Sequence, residues 1–103
     1  MSRTTFVCKC RSISYAQPII ERMLTEDGYN LIIQNSEQVW KCGNGQLIPM
    51  KFIKFEFVDD TTVHISGWVR GNLGPEQHLD GYINGFPKKQ VQKTVERIQS
   101  AIV

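Results

Sequence analysis

Met50-Lys51-Phe52-Ile53-Lys54-Phe55-Glu56-Phe57-Val58, then Asp59-Asp60-Thr61, then Thr62-Val63-His64-Ile65-Ser66-Gly67-Trp68-Val69-Arg70 is the stretch that decides the fold. Apolar and polar residues alternate on both sides of an acidic turn, which is the period of a half-buried antiparallel hairpin. Two registers compete. A two-residue loop at Asp59-Asp60 sets Phe55 opposite His64 and Phe57 opposite Thr62. A three-residue loop, Asp59 to Thr61, sets Phe57 opposite Val63, Phe55 opposite Ile65 and Ile53 opposite Gly67. A slip of one residue turns every side chain to the other face, so burial favours the second register. On its outward face Glu56 meets His64, Lys54 meets Ser66 and Phe52 meets Trp68. Gly67 predicts either a closely packed helix above it or a local bulge.

Upstream, residues 3–10 alternate in the manner of a first strand, with Phe6 or Val7 turned to the core. Ser14 then opens a helix, with Gln17 placed to complete a capping box and Pro18 close behind. Ala16, Ile19, Ile20, Met23 and Leu24 form one apolar stripe, and Asp27-Gly28 ends it with a glycine suited to the left-handed cap. Tyr29 to Gln34 is a short strand turned at Asn35-Ser36. Val39 to Cys42 follows, then Gly43-Asn44-Gly45, a hairpin signal. The next strand, Leu47 to Val58, begins at Pro49 with an edge or a bulge. Downstream, Gly71 to Phe86 is a long glycine-rich connection whose Leu73, Leu79, Tyr82, Ile83 and Phe86 argue that it folds back as a flap. Pro87 opens a closing helix with Val91, Val95, Ile98 and Ile102 inward and Lys89, Lys93 and Arg97 outward. The expected fold class is α+β: a five-stranded, mainly antiparallel sheet with two helices on one face, in the order β-α-β-β-β-β-α.

These 103 residues make one domain, 1–103, with 41% hydrophobic and 21% charged residues, a folded profile. Twelve Lys and Arg against ten Asp and Glu leave a net charge of +2, which does not demand a polyanionic partner. The three cysteines, Cys8, Cys10 and Cys42, are an odd set, and the first two stand too close along a strand to bridge each other. Reduced thiols and a cytoplasmic location are expected. No signal peptide and no transmembrane segment is expected.

Chemistry-bearing patterns are weak. Cys8, Cys10, Cys42, His64 and His78 have the residue types of a zinc site but not the ligand spacing of a zinc module. No thiol or hydroxyl sits in an activating motif. Neither Gly43-Asn44-Gly45 nor Gly71-Asn72-Leu73-Gly74 has the lysine and helix start of a phosphate loop. Asp59-Asp60 reads as turn chemistry. No catalytic residue, metal or cofactor is therefore assigned.

What stands out is the outer sheet face. Trp40, Phe52, Lys54, Glu56, His64, Trp68 and Arg70, with Tyr82 and Phe86 from the flap, form the candidate binding surface, because large apolar groups on a polar face usually meet something; whether Trp40 faces outward or into the core stays open, since Pro49 can shift the parity between the hairpins. The expected function is a non-enzymatic binding or protein-interaction module, with a protein partner or a homodimer covering the aromatics. Single-stranded nucleic acid, stacking on Phe52 and Trp68 with Lys54 and Arg70 at phosphates, is the alternative. A small ligand and a small enzyme of unknown class come after it.

The element order is similar to one repeat of the TATA-binding-protein-like fold. The stretches Val39-Trp40-Lys41-Cys42-Gly43-Asn44-Gly45, Ile53-Lys54-Phe55-Glu56-Phe57 and Gly85-Phe86-Pro87-Lys88-Lys89 also resemble a group of short bacterial proteins of unassigned activity. The first resemblance implies a curved antiparallel sheet with helices on one side. The DNA-binding proteins of that fold use two repeats and a wedge of phenylalanines, so a single repeat would have to dimerise to match them. Neither resemblance implies a chemistry.

Overall fold

Ser12 begins the first helix by geometry that its side chain enforces: its backbone is extended and its Oγ accepts the Tyr15 N–H at 3.1 Å. The structure, a computed structural model, describes residues 3–43, 50–70, 76, 77, 79 and 85–103, with backbone alone for Gln77, Gly85 and Phe86. Helix α1 spans Ile13–Glu26, so the cap is Ser12 rather than the expected Ser14. Asp60 supports this earlier start, since its Oδ1 accepts the Ile13 N–H at 3.2 Å. Pro18 consequently sits inside the helix, where it cannot donate to the preceding turn. It lies on the exposed side of the helix. The helix stops where Gly28 takes φ of +89°, and the Tyr29 N–H closes the turn on Leu24 O at 2.9 Å.

The strands are β1 (Thr4–Lys9), β2 (Asn30–Gln34), β3 (Glu37–Cys42), β4 (Met50–Asp59) and β5 (Thr62–Arg70). A two-residue strand, β6 (Glu76–Gln77), adds to β5 beyond the end of β1, and helix α2 (Gly85–Ile102) closes the chain. Pro87 is thus the third residue of α2 rather than its first. The order β-α-β-β-β-β-α and the antiparallel α+β sheet are as expected, with β6 as an addition. Across the sheet the strands run β1-β5-β4-β3-β2.

The central hairpin has the register that burial favoured, with Phe57 opposite Val63, Phe55 opposite Ile65, Ile53 opposite Gly67, Glu56 opposite His64 and Phe52 opposite Trp68. The means differs from the expectation. Asp59 pairs with Thr62 and Val58 is squeezed out as a bulge, so the loop proper is Asp60-Thr61. A bulge and a third loop residue shift the register equally. Asp59 still builds the turn, accepting the Thr61 N–H at 3.0 Å. The expected turn at Asn35-Ser36 has both residues at positive φ, 52° and 64°, which is the two-residue hairpin geometry. Residues 44–49, which hold the rest of the Gly43-Asn44-Gly45 turn, Leu47 and Pro49, lie outside the described residues.

Both helices pack on one face. Ala16, Ile20, Met23 and Leu24 of α1 and Val91, Val95, Ile98 and Ile102 of α2 enclose Ile53, Val63, Ile65 and Val69 of the sheet. Phe6 joins this core while Val7 points away and is 67% exposed. Gly67 explains itself here: a Cβ would stand 2.7 Å from Val91 Cγ1, so α2 lies against the strand itself. Leu79, from the expected flap, is buried in the same core, and its N–H donates to Thr4 Oγ1 at 2.9 Å.

Candidate functional site

Residues 52 and 68 meet on the outer face of the sheet. Their rings stack with centroids 5.3 Å apart and planes 9° from parallel. Phe52 and Trp68 are each only 2% exposed and, with Val39, form a second small core flanked by Ile32 and Met50. The described part of their cover is Arg3. With Thr4 opposite Gly67, Arg3 is carried beside Trp68, and its guanidinium carbon stands 3.7 Å from the Trp68 ring centroid. A guanidinium on a desolvated indole contributes about 1–2 kcal/mol.

That guanidinium is held on three sides. Its Nε and Nη2 donate to the two Glu76 carboxylate oxygens at 3.0 and 2.9 Å, a bidentate fork. Nη2 also reaches Glu37 Oε1 at 2.7 Å, and Glu37 Oε2 accepts from Lys54 Nζ at 3.1 Å. The hydrogen bonds to Glu76 lead in raising the Arg3 pKa further above its already high value. The hydrogen bond from Arg3 in turn holds the Glu37 carboxyl below its usual 4.5, with Lys54 adding to the effect. A depressed carboxylate stabilises the fold above its ordinary pKa and loses that contribution as pH falls through the lower folded value. In a Trp40→Phe protein, acrylamide quenching of Trp68 is therefore expected to stay flat from pH 7 to about pH 4.5 and to rise only below it. A rise centred near pH 6 would contradict this.

The candidate residues are thus divided. Phe52, Trp68 and Lys54 come together, but as a covered cluster rather than an open surface. Glu56 and His64 face each other across the strands, and no ion pair joins them. Arg70 lies at the end of β5, between Met50 and Glu76. Trp40, whose face the sequence left open, pairs with Ile53 and packs against the helix-side core, so it does not share a face with Phe52 and Trp68. Val39 takes that place. Tyr82 and the Phe86 side chain, with most of the 71–86 flap, lie outside the described residues. Sequence reasoning missed Arg3, Glu37 and Glu76, whose roles depend on β1 and β6 both lying beside β5.

The open apolar surface is elsewhere. Strand β2 is a sheet edge, and on its helix side Leu31 is 50% and Ile33 76% exposed. Beside them, Trp40, Phe55 and Phe57 line a recess of about 200 Å³ roofed by Gln17 and Glu21 of α1.

Comparison with protein families, curated proteins and solved structures gives no match.

A second cleft, of about 430 Å³, lies between the end of α1 and α2. Asp27 Oδ2 accepts from Thr94 Oγ1 at 2.7 Å, and Arg97 Nη1 reaches both Asp27 oxygens at 2.9 and 3.0 Å. Burial pushes the Asp27 pKa up, but these hydrogen bonds outweigh it and hold the carboxyl below its usual value. Tyr29 is buried next to it, with its hydroxyl near Thr94 but in no well-formed hydrogen bond among the described residues. Burial raises the phenol pKa, with Cys42 and Asp27 adding to the shift. Asp27 thus ties the end of α1 to α2. The three cysteines are free, and burial raises the pKa of Cys8 and Cys10, which disfavours the reactive thiolate at both. Among the described residues, no three His, Cys, Asp or Glu side chains are grouped to hold a metal ion, and no helix is long and apolar enough to cross a membrane.

Proposed function

We propose that this chain is a non-enzymatic protein-interaction module of the cytoplasm that docks an extended protein segment along the β2 edge. The observation that carries the reading is the pair Leu31 and Ile33, exposed on an uncharged edge strand next to the recess at Trp40, Phe55 and Phe57. Strand addition supplies main-chain hydrogen bonds for affinity, and the shelf takes alternate side chains for specificity. Edge strands are usually guarded by charge, proline or a bulge. β2 has none of these, and it is short. Free thiols suit a reducing compartment.

The interaction reading had rested on the outer face, and the burial of Phe52 and Trp68 moves it to the edge. The same burial weighs against single-stranded nucleic acid, because a base needs a free ring face, and Phe52 and Arg3 occupy those of Trp68. The likeness to one TATA-binding-protein-like repeat is supported by element order and adds no function.

A synthetic peptide of residues 29–36 is a suitable probe, since it is an uncharged copy of the strand itself. Added to dilute isotope-labelled protein, it is expected to shift the Leu31 and Ile33 amide resonances and leave those of β5 unmoved. Absence of any shift along β2 at millimolar peptide would overturn strand addition.

A further inference from the structure

We infer that the occupant of the β2 edge is a second copy of this chain, paired antiparallel about a two-fold axis at Ile32; this rests on the strand-addition reading above. Three features of the strand argue for it.

The first is backbone polarity. In a two-residue hairpin the residues flanking the turn exchange hydrogen bonds, and the pattern alternates from there. Gln34 pairs with Glu37, so Gln34, Ile32 and Asn30 direct their amide and carbonyl groups at β3. Leu31 and Ile33 therefore direct theirs off the sheet. A two-fold axis at Ile32 puts Leu31 opposite Ile33 of the second copy, and the reverse. Those are the residues with free groups, giving about four hydrogen bonds across the axis. An axis one residue away would face Leu31 with its own copy or Ile33 with its own copy and shorten the ladder.

The second is side-chain chemistry. Asn30-Leu31-Ile32-Ile33-Gln34 runs polar, apolar, apolar, apolar, polar, so it reads the same in either direction. About Ile32, amide side chain meets amide side chain and branched aliphatic meets branched aliphatic. An isologous interface requires such self-complementarity. The third is charge. Nothing in β2 is ionised, so no like charges meet within the paired strands themselves. The opposite edge differs: β1 carries the cation Lys9, whereas β2 carries none.

A five-residue strand buries less than a standard interface, so the dimer is weak and concentration-dependent. Sedimentation equilibrium of the full chain from about 10 µM to 1 mM, a range suited to a small interface, reads it directly. Wild type is expected to rise from one towards two chain masses. Ile33→Lys, at an exposed position that spares the fold, is expected to lower the association constant about tenfold or more. Val7→Lys, equally exposed on β1, is expected to associate as wild type does. A wild-type protein that stays monomeric to 1 mM would overturn the second-copy inference, as would dissociation by Val7→Lys with Ile33→Lys unaffected. The 29–36 peptide separates the two levels. If it still shifts Leu31 and Ile33 in a monomeric protein, strand addition stands and the second copy fails; if it does not, both fail.

Discussion

Replacing Trp68 by alanine is expected to cost about 3–5 kcal/mol of folding stability, measured by urea unfolding. On a merely decorated outer face the same change would cost well under 1 kcal/mol. The difference follows from the second core. Trp68 is stacked on Phe52, roofed by Arg3 and 2% exposed, so its removal leaves a void beneath an ion network. Arg3, Glu37 and Glu76 would then hold their charges over an empty site or collapse into it. Trp68→Phe is expected to recover much of the loss, because a ring remains to stack and to meet the guanidinium. A Trp68→Ala protein as stable as wild type would show that the outer cluster is loosely formed.

The second large effect is at Gly67. A β-carbon there comes within 2.7 Å of Val91 Cγ1 and 3.4 Å of Leu79 Cδ1, both in the main core. Val91 is β-branched, helical and fully buried, so it has no rotamer to yield. Gly67→Ala is expected to destabilise by about 1–3 kcal/mol, although alanine is otherwise the better strand residue. The cause is testable by rescue. Val91→Ala alone leaves a cavity, and joined to Gly67→Ala it supplies the missing space, so the double variant is expected to be more stable than the sum of the single losses allows. Strict additivity would place the penalty elsewhere than at the strand–helix contact.

These two positions also show where sequence reasoning reached and where it stopped. Alternation is local, so the adjacency of Phe52 and Trp68 and the closeness of a helix to Gly67 could be read from the hairpin itself. A bulge and a longer loop leave the same alternation, which is why Val58 went unnoticed. The face of Trp40 stayed open because it depends on how β3 meets β4 across residues 43–49, where no pattern in the sequence carries parity through. Arg3 reaches Trp68 only because β1 lies beside β5, and β2 is an edge only because of the strand order. Sheet order is a property of the whole chain, whereas periodicity is a property of each segment. The covering residues and the open edge both belong to the first kind.

The structure therefore shifts attention between two surfaces: the aromatic pair on the outer face is inside, and the unremarkable strand at 30–34 is an open edge among the described residues. Residue-resolved amide hydrogen exchange at low and high protein concentration tests this most directly. In dilute protein the Leu31 and Ile33 amides, pointing off the sheet, are expected to exchange far faster than the amides of β5. At high concentration those two alone on β2 are expected to gain protection, about tenfold or more, while Asn30, Ile32 and Gln34 change little. Protection of Leu31 and Ile33 that does not depend on concentration, or a gain that appears along β1 instead, would contradict the account.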